Sequence, residues 1–200
     1  MKSFAWATAA LLVTGTAQAQ ILSGEALVKA LRQGGYVIVM RHASSPREPP
    51  DQQSANADNV NRERQLDEAG RASAIAMGRA LRELNIPIGE VFTSPAYRAL
   101  ETAHLAQLPD SRTVPELGDG GQSMQGVTQG QAEWLQKKVT QLPAHANTII
   151  VTHFPNMSRA FPQWTSALTD GEALIFGSDG KGGSILIARI KIDEWPRIRP

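Results

Sequence analysis

The amino-acid sequence predicts an α/β fold, a three-layer sandwich in which helices cover both faces of a mostly parallel sheet. Residues 36–40 and 148–152 are continuous apolar runs, which are typical of strands buried on both faces. Between these runs lie segments whose apolar residues recur at steps of three and four, the spacing of one buried helix face. Alternating strands and helices favour parallel pairing, because parallel strands need a long crossover connection.

Local signals along the chain place the remaining elements. Ser23 and Asp67 are typical N-caps, and Gly34 with Gly35 ends the first helix. We predict helices at residues 24–33, 68–84, 96–107 and 132–142, and further strands at residues 91–93, 113–117 and 184–190. The polar segment 43–64 and the glycine-rich segment 118–130 show no periodicity and predict long loops, which often bind ligands.

The first 19 residues have the organisation of a secretory signal peptide. Lys2 precedes the apolar run 4–13, and Ala17-Gln18-Ala19 is a small-x-small cleavage site. The apolar run is much shorter than the roughly twenty residues that a membrane-spanning helix needs. We therefore expect residues 20–200 to form one domain that is periplasmic or secreted, with no membrane span after cleavage.

Composition excludes several classes of function. The chain contains no cysteine, which excludes disulfides, thiolate metal sites and a cysteine nucleophile. It has 20 basic and 19 acidic residues, whereas a nucleic-acid-binding surface needs a strong basic excess. We therefore expect no nucleic-acid partner, and any concentration of positive charge must be local.

Polar residues follow three of the predicted strands at the point where each strand ends. Arg41 and His42 follow the first strand, Ser94 and Arg98 follow the second, and His153 follows the third. The carboxyl ends of parallel strands meet at one edge of a sheet, where ligands bind. Arginine forks suit phosphate oxygens, and a histidine among cations resists protonation and keeps a ring nitrogen free. The sequence therefore predicts an anion site that contains a nucleophile.

The same segments resemble the motifs of the histidine phosphatase superfamily, whose fold is phosphoglycerate-mutase-like. Four stretches carry the resemblance, which extends from about residue 36 to the C-terminus. VMRHA at residues 39–43 resembles the R-H-G signature, and SPAYRALETA at residues 94–103 resembles the second motif, S-P-x-x-R-A-x-x-T-A. IVTH at residues 150–153 resembles the third motif, a hydrophobic strand that ends in histidine. RQLDEAG at residues 64–70 is similar to the R-x-L-[TS]-x-x-G segment of smaller members. The chain looks like a small exported bacterial-type member.

The resemblance implies a phosphatase that acts on phosphomonoesters without a metal or other cofactor. His42 would be the catalytic nucleophile and would carry the phosphoryl group as phosphohistidine. Arg41, Arg98 and His153 would bind the phosphoryl oxygens and stabilise the charge of an in-line transition state.

The proton donor is the point at which the sequence departs from part of the family. Phe154 stands where the acid-phosphatase branch has an aspartate that protonates the leaving group. The phosphoglycerate-mutase-like branch uses a glutamate in a loop after the second motif, and Glu116 occupies a comparable place. Glu116 is therefore the expected catalytic acid, with Glu101 and Asp119 as weaker candidates; Glu101 lies one helical turn after Arg98 and is expected to pair with it.

Other positions near the motifs leave alternatives open. Ala43 replaces the usual glycine, which is tolerable unless the backbone needs a positive φ. Asn156 matches the asparagine of the H-D-x-N string and either binds substrate or caps the next helix. Ser94 and Thr102 are expected to serve only helix capping and packing.

The expected partner is a phosphorylated small molecule or a cell-envelope glycan, the latter by analogy with exported relatives. Specificity should lie in loops 44–61 and 118–130, with Arg47 and Arg62 as candidate contacts to a second anionic group. Three other functions remain open: a sugar-phosphate mutase, which the export signal disfavours, a protein phosphohistidine phosphatase, and a non-catalytic binder of phosphorylated ligands.

Overall fold

The computed structural model describes residues 21–120 and 126–199, so the predicted signal peptide lies outside the described residues. The described residues form one six-stranded sheet, whose order is β3-β2-β4-β1-β5-β6. The strands are β1 (Val37–Arg41), β2 (Ile88–Thr93), β3 (Ser111–Thr113), β4 (Asn147–Thr152), β5 (Ala173–Ser178) and β6 (Ser184–Ile190). The first four strands pair in parallel, whereas β5 is antiparallel to β1 and to β6.

Helices cover both faces of this sheet, which confirms the predicted three-layer α/β sandwich. The helices are α1 (Gly24–Arg32), α2 (Glu68–Glu83), α3 (Tyr97–Leu105), α4 (Gln129–Lys138) and α5 (Phe154–Ala160). Helices α1, α2 and α3 share one apolar core on one face of the sheet, and α4 and α5 share a second core on the other face. Within the described ranges, no helix combines the length and apolar character needed to cross a membrane.

Strand β1 shows how the two cores are divided. Ile38 and Met40 belong to the core shared with α1, α2 and α3, whereas Val37 and Val39 belong to the core shared with α4 and α5. Successive side chains of a strand point to opposite faces, so a continuous apolar run is what a strand covered on both sides requires. The burial of both faces fixes the register of β1 and thereby the position of the residues that follow it.

The clearest differences between the sequence predictions and the structure concern two strands. The predicted strand 113–117 is wrong beyond its first residue: β3 ends at Thr113, and Pro115–Leu117 forms a 3-10 turn that begins with proline. Strand β5 was not predicted, although its apolar run lies directly before the glycine-rich segment 179–183. Antiparallel pairing of β5 with β1 brings the segment before β5 alongside the end of β1.

Candidate active site

His42 lies at the carboxyl end of β1 and is only 3% exposed. Its backbone N–H donates to the carbonyl of Thr152 at 2.9 Å, which continues the parallel ladder with β4. Its ring Nδ1 lies 2.8 Å from the carbonyl oxygen of Ala43, and since a carbonyl can only accept, Nδ1 carries the proton. The other ring nitrogen, Nε2, therefore holds a free electron pair, and Arg98 Nε donates to it at 3.2 Å.

His153 lies at the end of β4, with its ring centroid 5.2 Å from that of His42. Arg98 Nη2 lies 3.0 Å from His153 Nδ1, and since a guanidinium can only donate, Nδ1 is the unprotonated nitrogen. The proton on Nε2 is donated to the hydroxyl of Ser94 at 2.7 Å. Ser94 therefore fixes the tautomer of His153, a contact beyond the capping role predicted for it.

Both histidines are strongly biased towards the neutral state. Burial lowers the pKa of His42 to about 2, and the neighbouring His153, Arg98 and Arg41 add to this effect. Burial, followed by the charges of Arg98, Arg64 and Arg41, also lowers the pKa of His153 well below its usual value. A neutral imidazole with a free electron pair on Nε2 can attack an electrophile, whereas an imidazolium cannot.

Two arginines provide the positive charge of the site, and each is paired with an aspartate. Arg98 is 4% exposed, and its Nη2 lies 2.5 Å from Asp119 Oδ2. Arg41 Nη2 lies 2.5 Å from Asp170 Oδ1. The Nε of Arg41 is buried and has no hydrogen-bond acceptor among the described residues, so it is a donor that a bound oxyanion could satisfy.

The carboxylate that lies against Arg98 and His153 is Asp119 rather than Glu116. Asp119 Oδ2 contacts Arg98 and lies 3.6 Å from His153 Nδ1. Glu116 is exposed in the 3-10 turn, and its side chain makes no hydrogen bond or ion pair with any described residue. The spacing of Asp119 from the second motif was visible in the sequence, but the outward turn at residues 115–117 was not.

Asn156 and Glu101 make structural contacts in the described chain. Asn156 Nδ2 donates to the carbonyls of Gly118 at 3.0 Å and Glu116 at 3.3 Å, so it ties α5 to the loop that carries Asp119. Its proposed contact with substrate stays a prediction. The expected pairing of Glu101 with Arg98 is wrong, because Glu101 instead accepts from the backbone N–H of Leu66 at 2.7 Å and from Asn56 Nδ2 at 2.9 Å.

The predicted loop 43–64 is irregular, and the contacts of Glu101 fix it against α3. Arg64 Nε donates to the carbonyl of Pro46 at 2.6 Å, and its charge contributes to the lowered pKa of His153. Arg64 is therefore a third cation near the site, and the sequence motif that contains it predicts no role for it. A cavity of about 380 Å³ opens beside Arg98 and Asp119, with Glu63 and Gln131 in its wall.

Ala43 fits its position without backbone strain, because it is not among the described residues with positive φ. Its N–H donates to Thr102 Oγ1 at 3.1 Å, and the same hydroxyl donates to the carbonyl of Arg98 at 2.8 Å. Thr102 thus connects the chain after His42 to the helix that carries Arg98. Among the described residues, no group of three or more His, Cys, Asp or Glu side chains could hold a metal ion.

Comparisons with known proteins agree with the family resemblance found in the sequence. A family model described as histidine phosphatase superfamily (branch 1) matches residues 37–117, which include His42, Arg98 and Glu116. No curated protein matches the chain.

Solved structures show the same fold at low sequence identity. A protein histidine phosphatase, SixA, complexed with tungstate, has a TM-score of 0.58 and 18% identity over 80% of this chain and 98% of that one. YhfR from Bacillus stearothermophilus has a TM-score of 0.54 and 20% identity, over 76% of this chain and 94% of that one. A phosphoserine phosphatase mutant from Entamoeba histolytica has a TM-score of 0.54 and 12% identity, over 78% and 97%.

Proposed function

The chain belongs to the histidine phosphatase superfamily, and we propose that it hydrolyses phosphomonoesters, without a metal ion, through a phosphohistidine intermediate on His42. One observation carries this proposal: His42 is buried and neutral, with its Nδ1 proton donated to the Ala43 carbonyl and its Nε2 electron pair facing Arg98. A residue that only bound an anion would be more useful as a cation, whereas a nucleophile must keep this electron pair.

In the first step, His42 Nε2 attacks phosphorus and the ester P–O bond breaks. Arg41 and Arg98 donate to the non-bridging oxygens, where charge is concentrated in the transition state. The unpartnered Nε–H of Arg41 is a donor available for this purpose. The phosphoryl-binding role predicted for His153 requires a proton on Nδ1, the ring nitrogen that accepts from Arg98 in the site described above. The leaving oxygen takes a proton from a carboxyl group, and His42 carries the phosphoryl group.

In the second step, the resulting carboxylate takes a proton from water, the water oxygen attacks phosphorus, and the N–P bond breaks. Orthophosphate leaves, and His42 Nε2 recovers its electron pair.

The place of Asp119, beside Arg98 and His153, favours Asp119 over the exposed Glu116 as the carboxyl group that transfers both protons. The carboxylate that pairs with Arg98 has no proton to donate, so in this role Asp119 takes up a proton when the phosphoryl group displaces it from Arg98. Glu116, the acid predicted from the sequence, is the alternative.

The cavity beside Arg98 and Asp119 provides space for the leaving group of the substrate. The predicted signal peptide would place the enzyme in the periplasm or outside the cell, where phosphorylated small molecules and cell-envelope glycans are the candidate substrates. SixA is described as a protein histidine phosphatase, and Phe154 in place of an aspartate after His153 makes phosphohistidine the second candidate substrate. A phosphoramidate needs less assistance from an acid when its bond breaks.

The proposal is tested by rapid quench in alkaline detergent with a ³²P-labelled aryl phosphate in the presence of a metal chelator, because an acid quench would hydrolyse phosphohistidine. Acid-labile phosphate should appear on His42, and His42→Ala should lose both the label and steady-state turnover. His104→Ala is a matched control, because His104 is exposed and outside the site. Full activity of His42→Ala would refute the mechanism, and anion binding without turnover would indicate a non-catalytic binder.

The acid is identified by comparing Asp119→Asn with Glu116→Gln. We expect Asp119→Asn to lower kcat on alkyl phosphates by roughly 10²-fold or more, the usual contribution of a general acid, with little effect of Glu116→Gln. A loss confined to Glu116→Gln would restore the sequence-based assignment. If phosphohistidine is the substrate, Asp119→Asn should retain most of its activity on a phosphohistidine peptide.

A further inference from the structure

Asp170 lies in the segment between the 3-10 turn Pro162–Trp164 and β5, and this segment runs alongside the end of β1. The N–H of Gly171 donates to the carbonyl of His42 at 2.9 Å, and the N–H of Arg41 donates to the carbonyl of Glu172 at 3.1 Å. Residues 168–172, here named the flanking segment, therefore border Arg41 and His42 on the side opposite β4. The superfamily model ends at residue 117 and does not include this segment.

The flanking segment contacts the guanidinium of Arg41 in two places. Asp170 Oδ1 lies 2.5 Å from Nη2 in an ion pair, and the carbonyl of Leu168 accepts from Nη1 at 3.5 Å. The ring of Phe154 faces the same guanidinium at 5.9 Å from its centroid, within the range of a cation–π contact. Both terminal nitrogens are thus occupied by the protein, and Nε is the nitrogen without an acceptor among the described residues.

The flanking segment is itself held by contacts of Glu172, whose side chain is buried. The carboxylate of Glu172 accepts from the N–H of Thr169 at 2.9 Å and from its hydroxyl at 3.0 Å. Its other oxygen accepts from two nitrogens of Arg189 on β6, Nε at 2.9 Å and Nη2 at 2.6 Å. Asp170 is therefore presented by a backbone that is fixed on both sides, as a positioning residue requires.

From these contacts we propose that Asp170 is a positioning residue that holds the Arg41 guanidinium in the orientation in which it binds the phosphoryl group. An unrestrained arginine side chain has many rotamers, and fixing it before substrate arrives removes that entropic cost from binding and from the chemical step. The inference rests on the proposed function, because the orientation matters only if an anion binds beside His42.

The test is a double-mutant cycle with Asp170→Asn in the wild-type and Arg41→Ala backgrounds. Asparagine keeps the shape of the side chain and removes its charge. We expect Asp170→Asn to lower kcat/KM and to weaken orthophosphate binding, each by about fivefold, the upper range for loss of an ion pair that is partly open to solvent. In the Arg41→Ala background, the same change should alter both quantities by less than about twofold, because Asp170 acts only through Arg41.

Asp193→Asn is the matched control, because it breaks an Arg–Asp pair of similar length, 2.8 Å from Arg197, on the exposed surface. It should leave both quantities unchanged. If Asp170→Asn reduces orthophosphate binding by equal factors in both backgrounds, or has no effect in either, the positioning role is refuted. Calorimetric titration with orthophosphate requires no turnover, so a wild-type protein that binds but does not hydrolyse would contradict the proposed function while still testing Asp170.

Discussion

Thr102→Val removes a single hydroxyl that connects the chain after His42, the proposed nucleophile, to the helix that carries Arg98. Thr102 is 0% exposed, and its Oγ1 both accepts from the N–H of Ala43 and donates to the carbonyl of Arg98. Valine has nearly the same shape and leaves no cavity. The substitution therefore isolates the hydrogen bonds from the packing.

The magnitude follows from the state of the Ala43 N–H after the change. A buried N–H without an acceptor costs about 1–3 kcal/mol. For a chain of this size, about 2 kcal/mol lowers Tm by roughly 6 °C. The carbonyl of Ala43 accepts the His42 Nδ1 proton, so any movement of this segment also displaces the nucleophile, and we expect kcat to fall by about tenfold, or about 1.4 kcal/mol in the barrier.

Thermal unfolding followed by circular dichroism and quench-flow measurement of His42 phosphorylation test the two expectations separately. Thr140→Val is the matched control, because the exposed Thr140 hydroxyl also donates to a backbone carbonyl, that of Lys137 at 2.8 Å. If Thr102→Val keeps the wild-type Tm within about 1 °C and phosphorylates His42 at the wild-type rate, the Thr102 hydroxyl contributes neither to stability nor to the rate.

Two further predictions concern stability. His42 and His153 are neutral in the folded protein but take up protons below about pH 6.5 in the unfolded chain, so the unfolded state binds more protons. The free energy of unfolding should therefore be highest above that pH. As the pH is lowered, it should fall by about 1 kcal/mol per pH unit for each histidine. Urea titrations of wild type and His42→Asn between about pH 7 and 5 check this, and equal slopes would contradict it. Gly78→Ala should strongly destabilise the protein, because a Cβ at this position in α2 would lie 1.9 Å from the carbonyl oxygen of Ala106. Gly130→Ala in α4 meets open space and should raise the free energy of unfolding by up to about 1 kcal/mol. Equal Tm values for the two variants would refute this reasoning.

The strand ends were predictable because they depend on short-range patterns. An apolar run that stops at a polar residue marks both the strand and the first side chain outside it, which places Arg41, His42 and His153 at one edge of a parallel sheet. The capping role of Asp67 is confirmed as well, since its side chain accepts from the N–H of Gly70. These features need no knowledge of long-range contacts.

The carboxylates of the site could not be placed in this way. Glu116 and Asp119 are three residues apart in one loop, and their directions depend on the 3-10 turn after Pro115. Asp170 reaches Arg41 only because β5 pairs with β1, a contact between segments more than a hundred residues apart. Sequence spacing gives the position of a loop residue along the chain, but the direction of its side chain depends on tertiary contacts.

The two Arg–Asp pairs and the two neutral histidines form one electrostatic arrangement. Burying Arg98 would be costly without Asp119, because an unpaired charge loses its hydration without compensation. The same arginines oppose protonation of His42. In the proposed mechanism, the positive charge that attracts a phosphoryl group therefore also preserves the electron pair that attacks it. A phosphoryl group therefore enters a site whose arginines are already balanced by carboxylates. It has to interact with them more favourably than Asp119 and Asp170 do, which favours a dianionic monoester over a singly charged diester.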